Sequence, residues 1–130
     1  MRALVDTQVW LWMLAHPERI GPKATRLLGS KAELLLSAAS AWEIAIKHRL
    51  GTLELPETPE RYVPERMRLT GMTPLPVEHS HALGVATLAD HHRDPFDRLL
   101  VSQALVEGLP VVTADARLGR YGVDVVAADE

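Results

Sequence analysis

Short apolar runs alternate with helical stretches along this chain, and this alternation restricts its fold more than any other feature. The runs with strand character cover residues 2–5, 33–37, 73–77, 109–115 and 123–127. Strands that alternate with helices predict an α/β fold with a central, mainly parallel sheet flanked by helices. Right-handed crossovers then bring the carboxyl ends of the strands to one edge, where ligands bind in open α/β folds. Pro74 and Pro76 place the third strand at a border of the sheet.

The helical stretches are predicted at 7–15, 22–29, 38–50, 59–70, 78–88 and 95–107, with a brief extended piece at 52–56. The start of the helix at 38–50 fits a capping box formed by Ser40 and Glu43. The helix at 95–107 has the clearest limits. Asp94 is its expected N-cap, Pro95 occupies its first position and Gly108 follows its last turn.

Length and composition limit the classes of protein to which the chain can belong. Its 130 residues predict one domain, residues 1–130. The absence of cysteine excludes disulfides and thiolate metal sites. No apolar run approaches the ~20 residues that span a bilayer. The residues before Asp6 are too few for a signal peptide, so we expect a cytoplasmic protein without membrane contact.

Four acidic residues, Asp6, Glu43, Asp97 and Asp115, are predicted where a strand ends or a helix begins. Each of them alone is explained by helix capping or by the helix dipole. Together they fall on one edge of the sheet, where carboxylates without a cation repel one another. Carboxylate oxygens favour Mg²⁺ or Mn²⁺ over zinc. Two such ions can activate water and stabilise the leaving oxygen of a phosphodiester.

The net charge of −3 does not by itself suit a protein that binds nucleic acid. However, if four of the 17 acidic residues hold cations, 13 remain against 14 basic residues. The rest of the surface is then nearly neutral, and bound cations add positive charge where a phosphate would lie.

The loop before the helix at 95–107 is rich in polar side chains. Asp94 is first of all a cap, although it can also hold a metal-bound water. Adjacent His91 and His92 are expected to point in different directions, and they lack the i,i+4 partner typical of zinc sites. With Arg93 and Arg98 they are predicted to form a loop that contacts phosphate.

Three tryptophans, Trp10, Trp12 and Trp42, lie within apolar runs and are expected in the core or at an interface. With the apolar face of 78–88, they provide more apolar surface than a small core needs. We therefore expect a homodimer that buries at least ~1,000 Å².

Four segments together resemble the PIN-domain ribonucleases, and in particular the VapC-type toxins of toxin–antitoxin pairs. They read LVDTQVWLW, SAASAWEIAIK, RDPFDRLLVSQAL and VVTAD, in the order typical of the family and spread over residues 4–126. The resemblance implies a three-layer PIN-like fold and a metal-dependent endoribonuclease that hydrolyses RNA with metal-activated water. Relatives usually form homodimers, and a small antitoxin inhibits them by placing its tail in the acidic groove.

The resemblance also implies roles for individual residues. The acidic quartet of the family falls on the same four acids, Asp6, Glu43, Asp97 and Asp115. Thr113 corresponds to the hydroxyl residue two positions before the last acid, and Thr7 follows the first acid.

Two other classes of function stay open at this point. A PIN-like scaffold can serve as a non-catalytic protein-interaction module, although the intact quartet argues against this function. A metal-dependent phosphatase of the haloacid dehalogenase type needs a second aspartate two residues after Asp6, where Gln8 stands. A receiver domain needs a lysine after a late strand, and neither late strand offers one.

Overall fold

The computed structural model describes residues 1–130 and shows a five-stranded, entirely parallel sheet with the strand order β3-β2-β1-β4-β5. The strands are β1 (Arg2–Val5), β2 (Glu33–Ser37), β3 (Thr73–Leu75), β4 (Val111–Thr113) and β5 (Val125–Ala127). The predicted α/β class is confirmed, and so is the border position of β3. The strands at 73–77, 109–115 and 123–127 are each shorter than predicted.

Six α-helices cover the sheet, and three short 3-10 segments lie in the connections between elements. The helices are α1 (Thr7–Ala15), α2 (Pro22–Leu28), α3 (Ala38–Arg49), α4 (Pro59–Thr70), α5 (His79–Gly84) and α6 (Pro95–Glu107). The 3-10 segments are Pro17–Arg19, Val85–Thr87 and Ala116–Tyr121. None of these helices combines the length and the hydrophobicity needed to cross a bilayer.

Apolar packing on both faces of the sheet produces three layers. Alternate side chains of β1 face opposite sides, so that Ala3 and Val5 join one core cluster and Leu4 joins the other. Trp10 is buried in the first cluster, where its indole N–H donates to the hydroxyl of Thr70. A parallel sheet covered on both faces needs such apolar strands.

The order in which the strands are added to the sheet reverses at β1, while all strands stay parallel. The chain proceeds from β1 to β2 and β3 on one side, and then crosses to β4 and β5 on the other. A crevice forms at the carboxyl ends of two neighbouring strands where the strand order reverses in this way. The fold therefore places a binding cleft beyond the ends of β1 and β4.

Two local predictions were wrong. Ser37, not Ser40, caps α3, because its hydroxyl oxygen accepts the amide of Ala39. Glu43 consequently lies beyond the first turn of α3, outside any capping box. Residues 52–56, predicted as a brief extended piece, form bends and irregular backbone outside the sheet. The predicted helix at 78–88 ends as α5 at Gly84 and continues only as a 3-10 turn.

Candidate functional site

The four acids predicted to gather do lie together in one cleft at the carboxyl ends of β1 and β4. This cleft has a volume of about 670 Å³. It is lined by Asp6, Thr7, Glu43, Lys47, Asp94, Asp97, Asp115 and Arg117, among others. Each acid comes from a different element, so only the tertiary fold brings them together.

Asp6 lies at the centre of the cleft because it directly follows the central strand β1. It is 8% exposed, and its Oδ2 accepts the hydroxyl proton of Thr113 at 2.7 Å. The same hydroxyl oxygen accepts the amide of Asp115 at 3.0 Å, so Thr113 connects the two acids. Burial raises the pKa of Asp6 against the effect of the Thr113 hydroxyl, and Glu43 and Asp115 raise it further by repulsion.

Glu43 projects into the cleft from α3 and has one satisfied oxygen. Lys47, one turn further along α3, donates to Oε2 of Glu43 at 2.5 Å, and this contact raises the pKa of Lys47. Oε1 of Glu43 is buried without a hydrogen-bond partner. Thr7 lines the cleft, but its hydroxyl donates to Ser40 at 2.7 Å and so joins α1 to α3.

Asp94 and Asp97 open α6 as the sequence predicted. Asp94 caps the helix, because its Oδ1 accepts the amides of Phe96 and Asp97 at 2.8 and 3.2 Å. Asp97 lies in the first turn, where burial and repulsion from Asp6, then from Asp94 and Glu43, raise its pKa to about 7.

Asp115 is held by two basic side chains. Arg117 donates its backbone amide and Nε to Oδ1, each at 3.0 Å, and Nη2 to Oδ2 at 2.8 Å. His92 Nε2 lies 2.8 Å from Oδ2 of Asp115 and 3.2 Å from Oδ2 of Asp97. These contacts, with Arg117 first, lower the pKa of Asp115 well below its usual range.

Sequence reasoning did not predict that Lys47, His92 and Arg117 contact the acids of the cleft. Lys47 was detectable, because it lies four residues after Glu43 on the same helix face. His92 was assigned to a loop that contacts phosphate, and no local signal indicated that its ring contacts Asp97 and Asp115. The expectation that the adjacent histidines diverge was nevertheless confirmed, because the ring of His91 packs edge-on against Tyr121 at 5.0 Å.

The two arginines predicted to contact phosphate differ in environment. Arg93 is exposed in the loop just before α6. The side chain of Arg98 is only 16% exposed, and its guanidinium donates to five acceptors. These acceptors are the carbonyls of Val85, Leu88, Ala89 and His92 and the hydroxyl of Tyr121. Both Nη groups of Arg98 thus hold the loop together and are not available to a phosphate.

Comparison with known proteins identifies the family. A model of the PIN domain matches residues 3–124. The chain belongs to the PIN-domain family. It is 30% identical over 118 residues to ribonuclease VapC22 of Mycobacterium tuberculosis, an alignment that covers 88% of each chain. It is also 62% identical over 48 residues to ribonuclease VapC16 of the same organism, which covers 37% of this chain and about a third (34%) of VapC16.

Solved structures with the same fold include toxin–antitoxin proteins. VapBC2 from Rickettsia felis, bound to a DNA fragment from its promoter, has a TM-score of 0.74 at 14% identity, with 99% of this chain and 100% of that chain covered. VapBC-1 from nontypeable Haemophilus influenzae has a TM-score of 0.67 at 18% identity and 98% coverage of both chains. The PIN-like architecture predicted from the sequence is therefore confirmed.

The residues of this PIN domain fit the divalent cation that the resemblance implies. The buried Oε1 of Glu43 has no partner, and a buried carboxylate oxygen without one is costly. Besides burial, repulsion from Glu43 and Asp115 raises the pKa of Asp6, and repulsion from Asp6 raises that of Asp97. Hard oxygen donors in this number suit Mg²⁺ or Mn²⁺. A cation would both satisfy the free oxygen and relieve the repulsion.

Removing the charge of Asp97 is expected to stabilise the metal-free protein at alkaline pH. The pKa of Asp97 rises from 3.8 to about 7 on folding, so the folded state binds an extra proton between these values. The free energy of unfolding consequently falls as the pH rises through this window. In EDTA near pH 8, we expect Asp97→Asn to melt at least ~3 °C above wild type. The difference should shrink towards pH 4, and equal melting temperatures near pH 8 would contradict the assignment.

Proposed function

We propose that this PIN domain is an endoribonuclease that hydrolyses RNA phosphodiester bonds with Mg²⁺ or Mn²⁺, and that it is the toxin of a toxin–antitoxin pair. The observation that carries the proposal is the convergence of four acids from separate elements in one cleft, with Oε1 of Glu43 buried and unpaired. The names of the relatives VapC22 and VapC16, both ribonucleases, support it.

Each residue of the cleft has a distinct task in this proposal. Asp6, Glu43, Asp97 and Asp115 supply the oxygens that hold the cation. When bound, a divalent cation adds positive charge beside the phosphate and makes a water molecule more acidic. Thr113 fixes the carboxylate of Asp6 by its 2.7 Å hydrogen bond.

Other side chains of the cleft keep these acids in place. Asp94 holds the start of α6, and therefore Asp97, by capping the helix. Lys47 neutralises Glu43, and Thr7 holds α1 against α3 through Ser40. The protein offers no cysteine as an alternative nucleophile.

The RNA backbone would approach the cleft past exposed basic residues. Arg93 is exposed beside the start of α6, and more than half of the Arg117 side chain is accessible at the rim. Both can approach a phosphate without breaking the fold. Arg98 contributes only indirectly, because its donors hold the loop that carries His92.

Cleavage of a structured RNA by the purified protein tests the proposal. We expect cleavage in Mg²⁺ or Mn²⁺ and none in EDTA, while p-nitrophenyl phosphate stays intact under the same conditions. Hydrolysis of the small ester without RNA cleavage would favour the phosphatase. Equal RNA cleavage in EDTA would contradict the metal dependence. Failure to cleave any RNA in either metal would favour the interaction module.

A small antitoxin protein is the proposed partner. The structural neighbours from Rickettsia felis and Haemophilus influenzae are VapBC proteins, and another is described as a toxin–antitoxin complex from Klebsiella pneumoniae. We extend this partnership to the present chain. The product of a neighbouring small gene should then bind this protein and suppress its RNA cleavage.

The second proposed partner is another copy of this chain. Trp10 is fully buried and Trp12 lines the cleft, so these two tryptophans are not available for the interface predicted from the sequence. Trp42 is 59% exposed, and Leu83 on α5 is 73% exposed. Leu105 and Val106 on α6 are also exposed.

We expect a homodimer at micromolar concentration in light scattering, with an interface of at least ~1,000 Å². Leu83→Glu should give a monomer, because a charge within an apolar interface is costly. Leu69→Glu, at a leucine on α4 that is 61% exposed, is the matched control and should stay dimeric. A monomeric wild type would contradict the expectation.

A further inference from the structure

His92 borders the cleft through contacts with Asp97 and Asp115, and the proposed function gives it no task. Its side chain is 7% exposed and contacts three aspartates. Nε2 lies 2.8 Å from Asp115 Oδ2 and 3.2 Å from Asp97 Oδ2. On the other side of the ring, Nδ1 accepts the backbone amide of Asp94 at 3.0 Å.

The contact with Asp94 determines where the imidazole carries its proton. A backbone N–H can only donate, so Nδ1 must keep its lone pair. A neutral imidazole has one protonated nitrogen, which here is Nε2. The Nε2–H bond consequently points at the carboxylates of Asp115 and Asp97.

This tautomer argues against His92 as a metal ligand. Nε2 and one oxygen each of Asp97 and Asp115 lie within 4.8 Å of one another, as the ligands of one ion would. Coordination through Nε2 would require the ring proton to move to Nδ1, where it would face the N–H of Asp94. The backbone therefore opposes coordination by the imidazole.

We propose that His92 is a positioning residue, a fixed N–H donor that orients the carboxylates of Asp115 and Asp97 towards a cation held only by oxygen atoms. The inference rests on the proposed function of the cleft. It assigns the N–H group of His92 to holding the acids, and leaves cation binding to the carboxylates.

The contacts of Asp115 indicate which hydrogen-bond donor would release its carboxylate on binding of a cation. A carboxylate offers about four lone-pair positions, and Asp115 accepts three donors from Arg117 and one from His92. The guanidinium of Arg117 is largely exposed and can rotate away. His92 is buried and anchored from behind by Asp94. On binding of a cation, Arg117 would therefore release its side-chain contacts with Asp115, whereas His92 would keep its own.

Nitrogen-15 NMR of the histidine rings tests the tautomer directly. In EDTA, we expect His92 to show a protonated Nε2 and an unprotonated Nδ1, and we expect the same pattern after Mg²⁺ is added. Loss of the Nε2 proton on addition of Mg²⁺, or a protonated Nδ1 in EDTA, would overturn the proposal. The measurement needs no variant and no RNA.

Binding of Mn²⁺ alone tests the positioning role. His92→Phe keeps the ring shape without the donor, and we expect its Mn²⁺ affinity to fall roughly 10- to 100-fold. His92→Gln can place an amide N–H near the position of Nε2, so it should recover part of the loss. His91→Gln is the matched control and should bind as wild type does. Unchanged affinity in a folded His92→Phe variant would overturn the proposal, as would a nitrogen coupling from His92 in the Mn²⁺ EPR spectrum.

The outcomes for His92 and for the proposed function remain distinguishable. If wild type binds Mn²⁺ with the expected tautomer but cleaves no RNA, the nuclease assignment fails while the role of His92 stands. If wild type cleaves RNA and His92→Phe binds Mn²⁺ normally, only the role of His92 fails. If His92→Phe does not fold, the NMR measurement decides alone.

Discussion

Asp6→Asn is expected to slow metal-dependent RNA cleavage by at least ~100-fold. Asp6 follows the central strand at the point where the strand order reverses, and it is one of the four proposed oxygen donors. Asparagine keeps the shape and can still accept the Thr113 hydroxyl, but it lacks the negative charge that attracts a cation. Initial rates on a structured RNA in Mg²⁺ or Mn²⁺ measure the effect.

The fold of the Asp6→Asn variant should be unharmed. Burial raises the pKa of Asp6, so its charge opposes folding of the metal-free protein, and the variant should melt no lower than wild type. Asp124→Asn is a matched control, because Asp124 is exposed just before β5, at the opposite edge of the sheet. Cleavage by Asp6→Asn at the wild-type rate would contradict the assigned site.

Arg98→Ala is expected to destabilise the protein by about 2–4 kcal/mol, because it removes a largely buried cation and leaves several carbonyl groups without their donor. The same change should loosen the loop that carries His92, since Arg98 donates to the His92 carbonyl. Denaturant unfolding measures the first effect. The Mn²⁺ affinity of the folded fraction measures the second.

Arg93→Ala separates this structural role from contact with RNA. Arg93 is exposed, so its removal should change stability by less than about 0.5 kcal/mol. It should weaken RNA binding and reduce the salt slope by about one. If Arg98→Ala instead weakens RNA binding at unchanged stability, the sequence-based prediction of a phosphate contact is right and the structural role is wrong.

The sequence alone determined the elements whose signals lie within one or two helical turns. Asp94 caps α6 as predicted, and Gly108 ends it with a positive φ of 67°. The strands follow from short apolar runs, and the parallel order follows from their alternation with helices. The edge on which the acids gather was also predictable, because parallel strands present their carboxyl ends together.

Glu43 shows that a local capping pattern can predict the position of a residue correctly and its hydrogen bonds wrongly. The acid was assigned to the correct edge, yet the capping box that explained it does not exist, because Ser37 caps α3. The hydroxyl of Ser40 is instead used by Thr7, 33 residues earlier in the chain. A capping pattern describes only neighbours in sequence, and a partner from another helix can take its place.

Only the tertiary structure decided how the loop before α6 divides its basic side chains. In sequence, His92 and Arg98 flank the same Asp94-Pro95 pair and suggest the same contact with phosphate. In the fold, His92 meets Asp115, 23 residues away, whereas Arg98 meets Tyr121, also 23 residues away. Both partners follow β4, and their positions depend on the place of β4 between β1 and β5 in the sheet. Hydrophobic periodicity and helix caps carry no information about that place, because it depends on how the whole sheet packs.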